Sequence, residues 1–587
     1  MMAGRGERAG AVVLALLLSL GAGPGVAADG PDGQTRPAKA APSRESPLAA
    51  YLSGRVARGA GDWGRAASSL TAALAADPDN KALLTQAFLL NLGEGNIPQA
   101  LTLARAMERL ELNSLPAMAL LVSEDLGAGR IDAARARLAK KPGDPLAQYM
   151  VPLMAAWVEM AGGKPDMAKA RLQPLLEAPG LTALAQLQLA LMADQAGRTE
   201  EAATAYDKAL EGGAPLRVVQ LAGNFQERTG HPDQARRLYE AFAADNPGNL
   251  HIEEALTRLR GGGKSKPLVA TARDGLAESL FQFASALQQD SRHEMSLLYG
   301  RISLFLRAEQ PLARLMIGDV LAARQRHEQA LVEYRTIGGS GAAGWAARLR
   351  EADALRRLDR NDEAVKLLQA MAAERPDRTD ALVRLGDLYR AADKDQAAID
   401  VYTKAIARAG GAEAKDWVLF FARGMALEAA GRWPEAEADL KAALQRRPDE
   451  PQLLNYLGYS YVDRNLNLPE AKVLIERAVA QLPDNGQIVD SLGWVLYRTG
   501  DLTGAVEQLE KAVQLSPADP AINDHLGDVY WAVGRKPEAR FQWRRAVQLA
   551  QDDAKLRGKA EEKLKNGLPQ DKTAASTAPA AEAGTPR

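Results

Sequence analysis

The sequence predicts an all-α fold, a superhelical solenoid of helix–turn–helix units, and three observations predict it. Thirteen alanines recur at nearly one spacing: Ala66, Ala100, Ala134, Ala168, Ala202, Ala235, Ala330, Ala364, Ala398, Ala436, Ala471, Ala505 and Ala539. Most intervals are 34 residues, with single steps of 33, 35 and 38 and one gap of 95. A fixed period of this length marks stacked repeats, each touching only its neighbours. A small side chain is needed where two helices cross closely, because a larger one would overpack at a cost of roughly 1–3 kcal/mol. Second, glycines such as Gly431, Gly500 and Gly534 recur at the first turn of a unit, and prolines such as Pro448, Pro483 and Pro517 end its second helix. Glycine accepts left-handed backbone, and proline cannot continue a helix. Third, aromatic residues make up only 5% of the chain while alanine is abundant, which suits closely packed helices.

The elements follow in order. The first unit runs from Pro47 to Asn80, with Gly54, Gly61, Ala66, Leu70, Ala73 and Pro78 as its small, turn, crossing, packing and terminating positions. Four units follow in step, and a sixth runs from near Leu216 to the NPGN string at 246–249, so residues 47–249 read as a first stack. Across the long gap, His251–Arg260 reads as one more helix ended by Gly261, Gly262 and Gly263, and residues 250–272 as a connector between stacks. Asp274–Gln289 and His293–Ala308 have helical period and read as a repeat with degenerate markers. Further units begin near Pro311, Trp345, Thr379, Trp417, Pro451, Gly486 and Pro520, making residues 273–550 a second stack. Residues 551–566 read as a polar helix capping the open end, and 567–587 as a disordered tail. The 34-residue unit resembles the tetratricopeptide repeat. That resemblance implies a right-handed superhelix of about fourteen helix–turn–helix repeats in two stacks, with a concave groove lined by the first helix of each unit.

The counts of basic and acidic residues, 73 and 74, nearly cancel. Binding to a phosphate backbone needs a concentrated cationic surface, so nucleic acid is not an expected partner. The chain has no cysteine, which excludes disulfides, thiolate metal sites, a cysteine nucleophile and lipidation of an N-terminal cysteine. Arg5 and Arg8 precede an apolar run, Ala9–Leu20, and small residues follow with Val26 and Ala28 at the recognised positions. This reads as a signal peptide, residues 1–28, cleaved near Ala28; retention as an anchor is the alternative. The run is shorter than the roughly 20 residues a spanning helix needs, and no other segment could cross a bilayer. Residues 29–46 read as a flexible leader, and the expected location is the periplasm.

Chemistry finds little foothold. The GGGKSK string at 261–266 fails as a phosphate loop, because Arg258 stands where a glycine is required. His293-Glu294 and His327-Glu328 each begin a zinc-protease motif, but Leu297 and Leu331 replace the second histidine. The five histidines have no metal-binding spacing, and no nucleophile elbow occurs. The expectation is a protein without catalytic residues, metal or cofactor.

The resemblance to the tetratricopeptide repeat implies that positions 2, 5, 9, 12 and 13 of each first helix point into the groove. In the last three units these are Asn455, Tyr459 and Asp463, then Asp490, Trp494, Tyr497 and Arg498, then Asp524, Asp528 and Trp531, with His525 beside them. Aromatic rings beside carboxylates suit an extended peptide or a partner helix, since flat rings give contact area at low entropy cost. The alternative is that these rings, Trp494 and Trp531 included, pack against the neighbouring unit. Trp543 falls at a packing position, and Trp63 and Trp433 fall in turns between helices. Position 5 reads Phe421, Asn455, Asp490 and Asp524, so a ligand carboxylate would meet like charge.

The strings LLNYLGYSYVDRN (453–465), IVDSLGWVLYRTG (488–500), INDHLGDVYWAVGR (522–535) and FQWRRA (541–546) go beyond the generic repeat. With RDGLAESLFQFASAL (273–287) they resemble a family of large secreted tetratricopeptide-repeat proteins of Gram-negative bacteria. That resemblance implies a scaffold of the cell envelope. The expected function is non-enzymatic: binding a protein or peptide partner in the groove of the C-terminal repeats. The alternative is an accessory module for exopolysaccharide or outer-membrane assembly or secretion, with a glycan in the same groove, because Trp and Tyr beside Asp also suit sugar stacking.

Overall fold

The computed structural model describes residues 46–568, apart from 141, 179, 264, 411 and 412. The segment read as a signal peptide, nearly all of the leader and residues 569–587 of the tail lie outside the described residues. Among the described residues there are thirty α-helices, one short 3-10 turn at Ala414–Asp416 and no strand. None of these helices is long and apolar enough to cross a membrane.

Helices pair in antiparallel units. The first six pairs are α1–α2 (Pro47–Gly59, Trp63–Leu74), α3–α4 (Lys81–Gly93, Ile97–Arg109), α5–α6 (Leu115–Gly127, Ile131–Leu138), α7–α8 (Ala147–Ala161, Pro165–Leu176), α9–α10 (Thr182–Gln195, Thr199–Leu210) and α11–α12 (Leu216–Arg228, Pro232–Asp245). A single helix, α13 (Leu250–Arg260), follows. The next pairs are α14–α15 (Ala272–Gln289, His293–Leu306), α16–α17 (Pro311–Ala323, His327–Ile337), α18–α19 (Ala342–Arg357, Asn361–Glu374) and α20–α21 (Asp380–Ala391, Asp395–Ala409). The last are α22–α23 (Trp417–Ala429, Trp433–Arg446), α24–α25 (Pro451–Asp463, Leu468–Gln481), α26–α27 (Gly486–Arg498, Leu502–Leu515) and α28–α29 (Pro520–Ala532, Lys536–Leu549), closed by α30 (Ala554–Asn566).

The thirteen recurring alanines all lie in second helices, and none is more than 1% exposed. They sit at the crossing of the two helices, as their spacing predicts. The close approach also depends on glycine in the first helix: a Cβ on Gly386 or Gly527 would collide with the ring of Tyr402 or Trp543. The intervening turn needs left-handed backbone, supplied by Gly500 at φ 89° and Gly534 at 84°. In the middle units Gln325, Asp359 and Asp393 adopt it instead, at φ 55–60°, which is why the glycine signal fades there.

The long gap between recurring alanines has a structural cause. α13 stands where the first helix of a seventh unit would, but glycines 261–263 end it and no second helix follows. The chain instead turns back, held by the Asn224 amide, which donates to Ser265 Oγ and, at 2.9 Å, to the Lys266 carbonyl. It then enters the concave face of the first stack. α14 packs on α5, α7 and α9, and α15 on α3 and α5. The α14–α15 pair keeps the 34-residue register: Ser296, 34 residues before Ala330, is fully buried and its Oγ donates to the Ala284 carbonyl at 2.7 Å.

The segment read as the opening of a second stack beyond a connector therefore fills the first stack's groove. The physical reason lies in α3, α5, α7 and α9 (KALLTQAFLLNLG, LPAMALLVSEDLG, AQYMVPLMAAWVEMA, TALAQLQLALMADQ), which are apolar almost all round. Such helices need cover on the groove side too. One core runs from Ala50 to Ala354. The superhelix closes on itself where Arg324 and Arg326 lie over the Trp63 ring, 4.8 and 5.1 Å from its centroid, and Arg326 pairs with Glu94. α18 then stacks on α13, the Ala342 amide donating to Glu254 at 2.7 Å, and the remaining units continue to α30.

Candidate partner-binding groove

The first helices α22, α24, α26 and α28 lie side by side along the concave face of the last units. At one end an aromatic group forms: Trp417 stacks on Phe421 with centroids 6.0 Å apart, and Tyr456 meets Phe421 edge-on at 5.3 Å. Asn455, half-buried on α24, keeps its side-chain oxygen buried with no hydrogen-bond partner among the described residues. Tyr459, one turn on, is half-buried, and burial followed by the field of Asp490 pushes its hydroxyl well above the usual tyrosine range. Asp463 is exposed, and Arg498 donates to Asn465 Oδ1 at 3.3 Å.

At the centre, α26 and α28 bring four groups into one stack. Both oxygens of Asp490 lie 3.0 Å from His525 Nδ1. The imidazole lies flat against Trp494, centroids 4.2 Å apart and planes 14° from parallel, and Trp494 leans on Tyr497 at 5.1 Å. Burial alone would lower the histidine, but the Asp490 carboxylate, helped by Asp524 and Asp528, outweighs it and raises His525 above its usual value. The ring is thereby biased towards imidazolium, with Asp490 as its counter-ion and an indole face for cation–π contact.

At the far end the carboxylates are already engaged. Lys563 of α30 reaches Asp524 and Asp528 at 2.7 Å each, and Trp543 Nε1 donates to Asp528 at 2.9 Å. Asp524 and Asp528 are 5% and 6% exposed. Burial and the adjacent Asp524 push Asp528 above the usual carboxylate range, against Lys563. Lys563 in turn is raised: burial opposes its charge, and the two carboxylates prevail. Trp531 lies 5.3 Å from Trp543, with Lys536 at 5.0 Å over its ring, and a Cβ on Gly567 would collide with it. α30 and Gly567 just after it thus sit on the last unit's groove positions.

The structure therefore brings Asp490, Trp494, Tyr497 and His525 together beside Tyr459, and sets Asp524, Asp528 and Trp531 under the terminal helix. Trp543 is fully buried, as its packing position predicts. Trp63 and Trp433 each begin a second helix; Trp433 packs edge-on to Tyr461 under Arg464. Sequence reasoning missed Lys563 as the counter-charge. Its signal was a lysine on the cap opposite two aspartates one turn apart on α28.

Fold and groove define a helical-repeat protein that offers concave surfaces and buried ion pairs. The tetratricopeptide-repeat family pattern matches residues 51–111, 153–216, 349–413 and 421–485, and a related TPR-repeat pattern matches 493–534. The chain belongs to the tetratricopeptide-repeat proteins, which as a class bind protein or peptide partners. A relative is the TPR repeat-containing protein PA4667 of Pseudomonas aeruginosa, 29% identical over 198 residues. The match covers 34% of this chain and 33% of that protein, so the chain aligns with about a third of its relative's length. Among solved structures it is similar to the Cut9–Hcn1 hetero-tetramer of the APC/C (16% identity, TM-score 0.38, 90% of this chain and 97% of that one). It is also similar to YrrB, described as a TPR protein with an unusual peptide-binding site (18%, 0.27, 33% and 97%), and to MamA of Desulfovibrio magneticus RS-1 (19%, 0.24, 29% and 97%).

Proposed function

We propose that this protein is a non-enzymatic scaffold of the bacterial cell envelope that holds a partner peptide or helix in the concave face of α22, α24 and α26. One observation carries the reading: the first stack's groove is filled by the chain's own α14–α15, whereas among the described residues no further helix packs into the groove between α22 and α26. Half-buried Tyr456, Tyr459, Trp494 and Tyr497 there supply rigid contact area, and Asp490 with His525 supplies an oriented charge pair. The glycan alternative asks Trp531 for a free ring face, and Gly567 and Trp543 lie against that ring. Export to the periplasm with cleavage near Ala28 belongs to the same proposal and is checked by the N-terminal sequence of the mature protein.

The test is a photocrosslinker placed in cells at position 459 or 497, with position 473 on the outward face of α25 as control. Val473 is 54% exposed. One dominant protein adduct from the groove positions, absent from 473, supports the reading. Equal labelling from all three, or adducts from 473 alone, overturns it.

A further inference from the structure

The two ends of the solenoid differ. At the C-terminal end α30 shows water Lys555, Lys559, Glu561, Glu562 and Lys565. At the other end α1 shows an apolar stripe: Leu48, Leu52 and Val56 are 67%, 54% and 73% exposed, three of the most exposed large apolar side chains in the described chain. Interior units explain the stripe. Leu90, Leu388, Val495 and Val529 hold the place of Val56 on their own first helices and are at most 5% exposed; Leu120, Ala422 and Ser491 hold that of Leu52 and are equally buried. In those units the preceding helix covers the face. Among the described residues no unit precedes α1, so its face is shaped for an antiparallel helix that the described chain does not provide.

Three features select the occupant. Residues 29–45 contain no Leu, Ile, Val, Met, Phe, Tyr or Trp, so the segment just before α1 has nothing to lay on the stripe. The charged outer face of α30 would be buried unpaired in head-to-tail stacking, which disfavours an open polymer. The stripe is also symmetric about Leu52. In an antiparallel pair of α1 helices Leu48 meets the second copy's Val56, Leu52 meets Leu52, and Arg58 falls beside the second copy's Ser46, next to Glu45 in sequence. We propose that α1 docks antiparallel on the α1 of a second copy of this chain, across a two-fold axis at Leu52. The contact is isologous and closes at two. One helix face buries less than the roughly 1,200 Å² of a standard interface, so the dimer is weak and concentration-dependent.

The chain has no cysteine, so Leu52→Cys gives the full-length protein a single thiol at the axis. Under mild oxidation it should form a disulfide dimer about tenfold faster than Leu48→Cys or a Val473→Cys control, because docking raises the local thiol concentration. An equimolar mixture of Leu48→Cys and Val56→Cys should cross-link where neither does alone. All four positions are exposed, so folding is not at stake; circular dichroism confirms it. If Leu52→Cys stays monomeric and reacts quickly with a maleimide, the face has no partner and the proposal fails. If it stays monomeric but resists the maleimide, the chain's own residues, the Ala9–Leu20 run first among them, cover it, and the proposal also fails. Protection that appears only on adding phosphatidylglycerol vesicles would assign the face to lipid and overturn it too.

Discussion

Trp157 Nε1 donates to Ser279 Oγ at 2.7 Å and to Gln188 at 2.9 Å, tying the wall of the first superhelix to a helix 122 positions further along the chain. Beside this link Arg217 pairs with Glu278 at 2.6 Å, the carboxylate fully buried. Both contacts fasten α14 inside the groove, where its apolar residues share one core with the first stack.

Arg217→Met should therefore leave Glu278 buried without its counter-charge and cost about 3–5 kcal/mol. Arg217→Met with Glu278→Leu should recover most of that, since an apolar pair of similar volume needs no desolvation. Urea unfolding followed by circular dichroism reads both; equal loss in single and double variants would contradict this account of the pair.

The stack at His525 predicts a pH dependence. Its folded pKa is raised above the unfolded value near 6.5. The group thus contributes stability that is full below about pH 6.5 and is lost as pH rises through the folded value. Melting of the wild type should fall across that window relative to His525→Gln, which lacks the group. Parallel profiles for the two proteins would remove His525 from the account.

Lys563→Met should destabilise the C-terminal end by about 3–5 kcal/mol, because Asp524 and Asp528 would remain buried together. Asp528 already lies above the usual carboxylate range, so protonation should relieve the variant as pH falls. Hydrogen exchange in α28 to α30 at two pH values checks both the loss and its recovery.

Gly500→Ala should cost about 1–2 kcal/mol, since φ of 89° puts a Cβ into the left-handed region. A thermal melt of the variant measures it, and no shift would mean that the turn relaxes.

Trp494→Ala should weaken the partner captured from position 459 by about 2 kcal/mol, roughly 30-fold. Titration of that partner against wild type and variant decides it. Val473→Ala should change nothing.

Much of the fold is legible in the sequence. Ala66 to Ala539 mark every regular crossing because a crossing tolerates only a small side chain, and steric exclusion writes itself into sequence at a constant period. Gly500 and Gly534 mark turns for an equally local reason. Ser296 escaped that reading because a hydroxyl that donates to the Ala284 carbonyl fits the same space as a methyl. The groove residues were legible as a frame, since Asp490, Trp494 and Asp524 follow from repeat position alone. Their partners were not: His525 faces Asp490 across a unit boundary, and Lys563 reaches Asp524 from a helix outside the repeat count.

The sequence by itself determined the class of fold, the unit length, the crossing positions and the lack of thiol chemistry, because each depends on residues within one unit or on composition. Only the tertiary structure decided which groove is full. The fit of α14 and α15 between α3, α5, α7 and α9 depends on the curvature accumulated over six units. Curvature is a sum of small rotations between neighbours, and no single residue carries it.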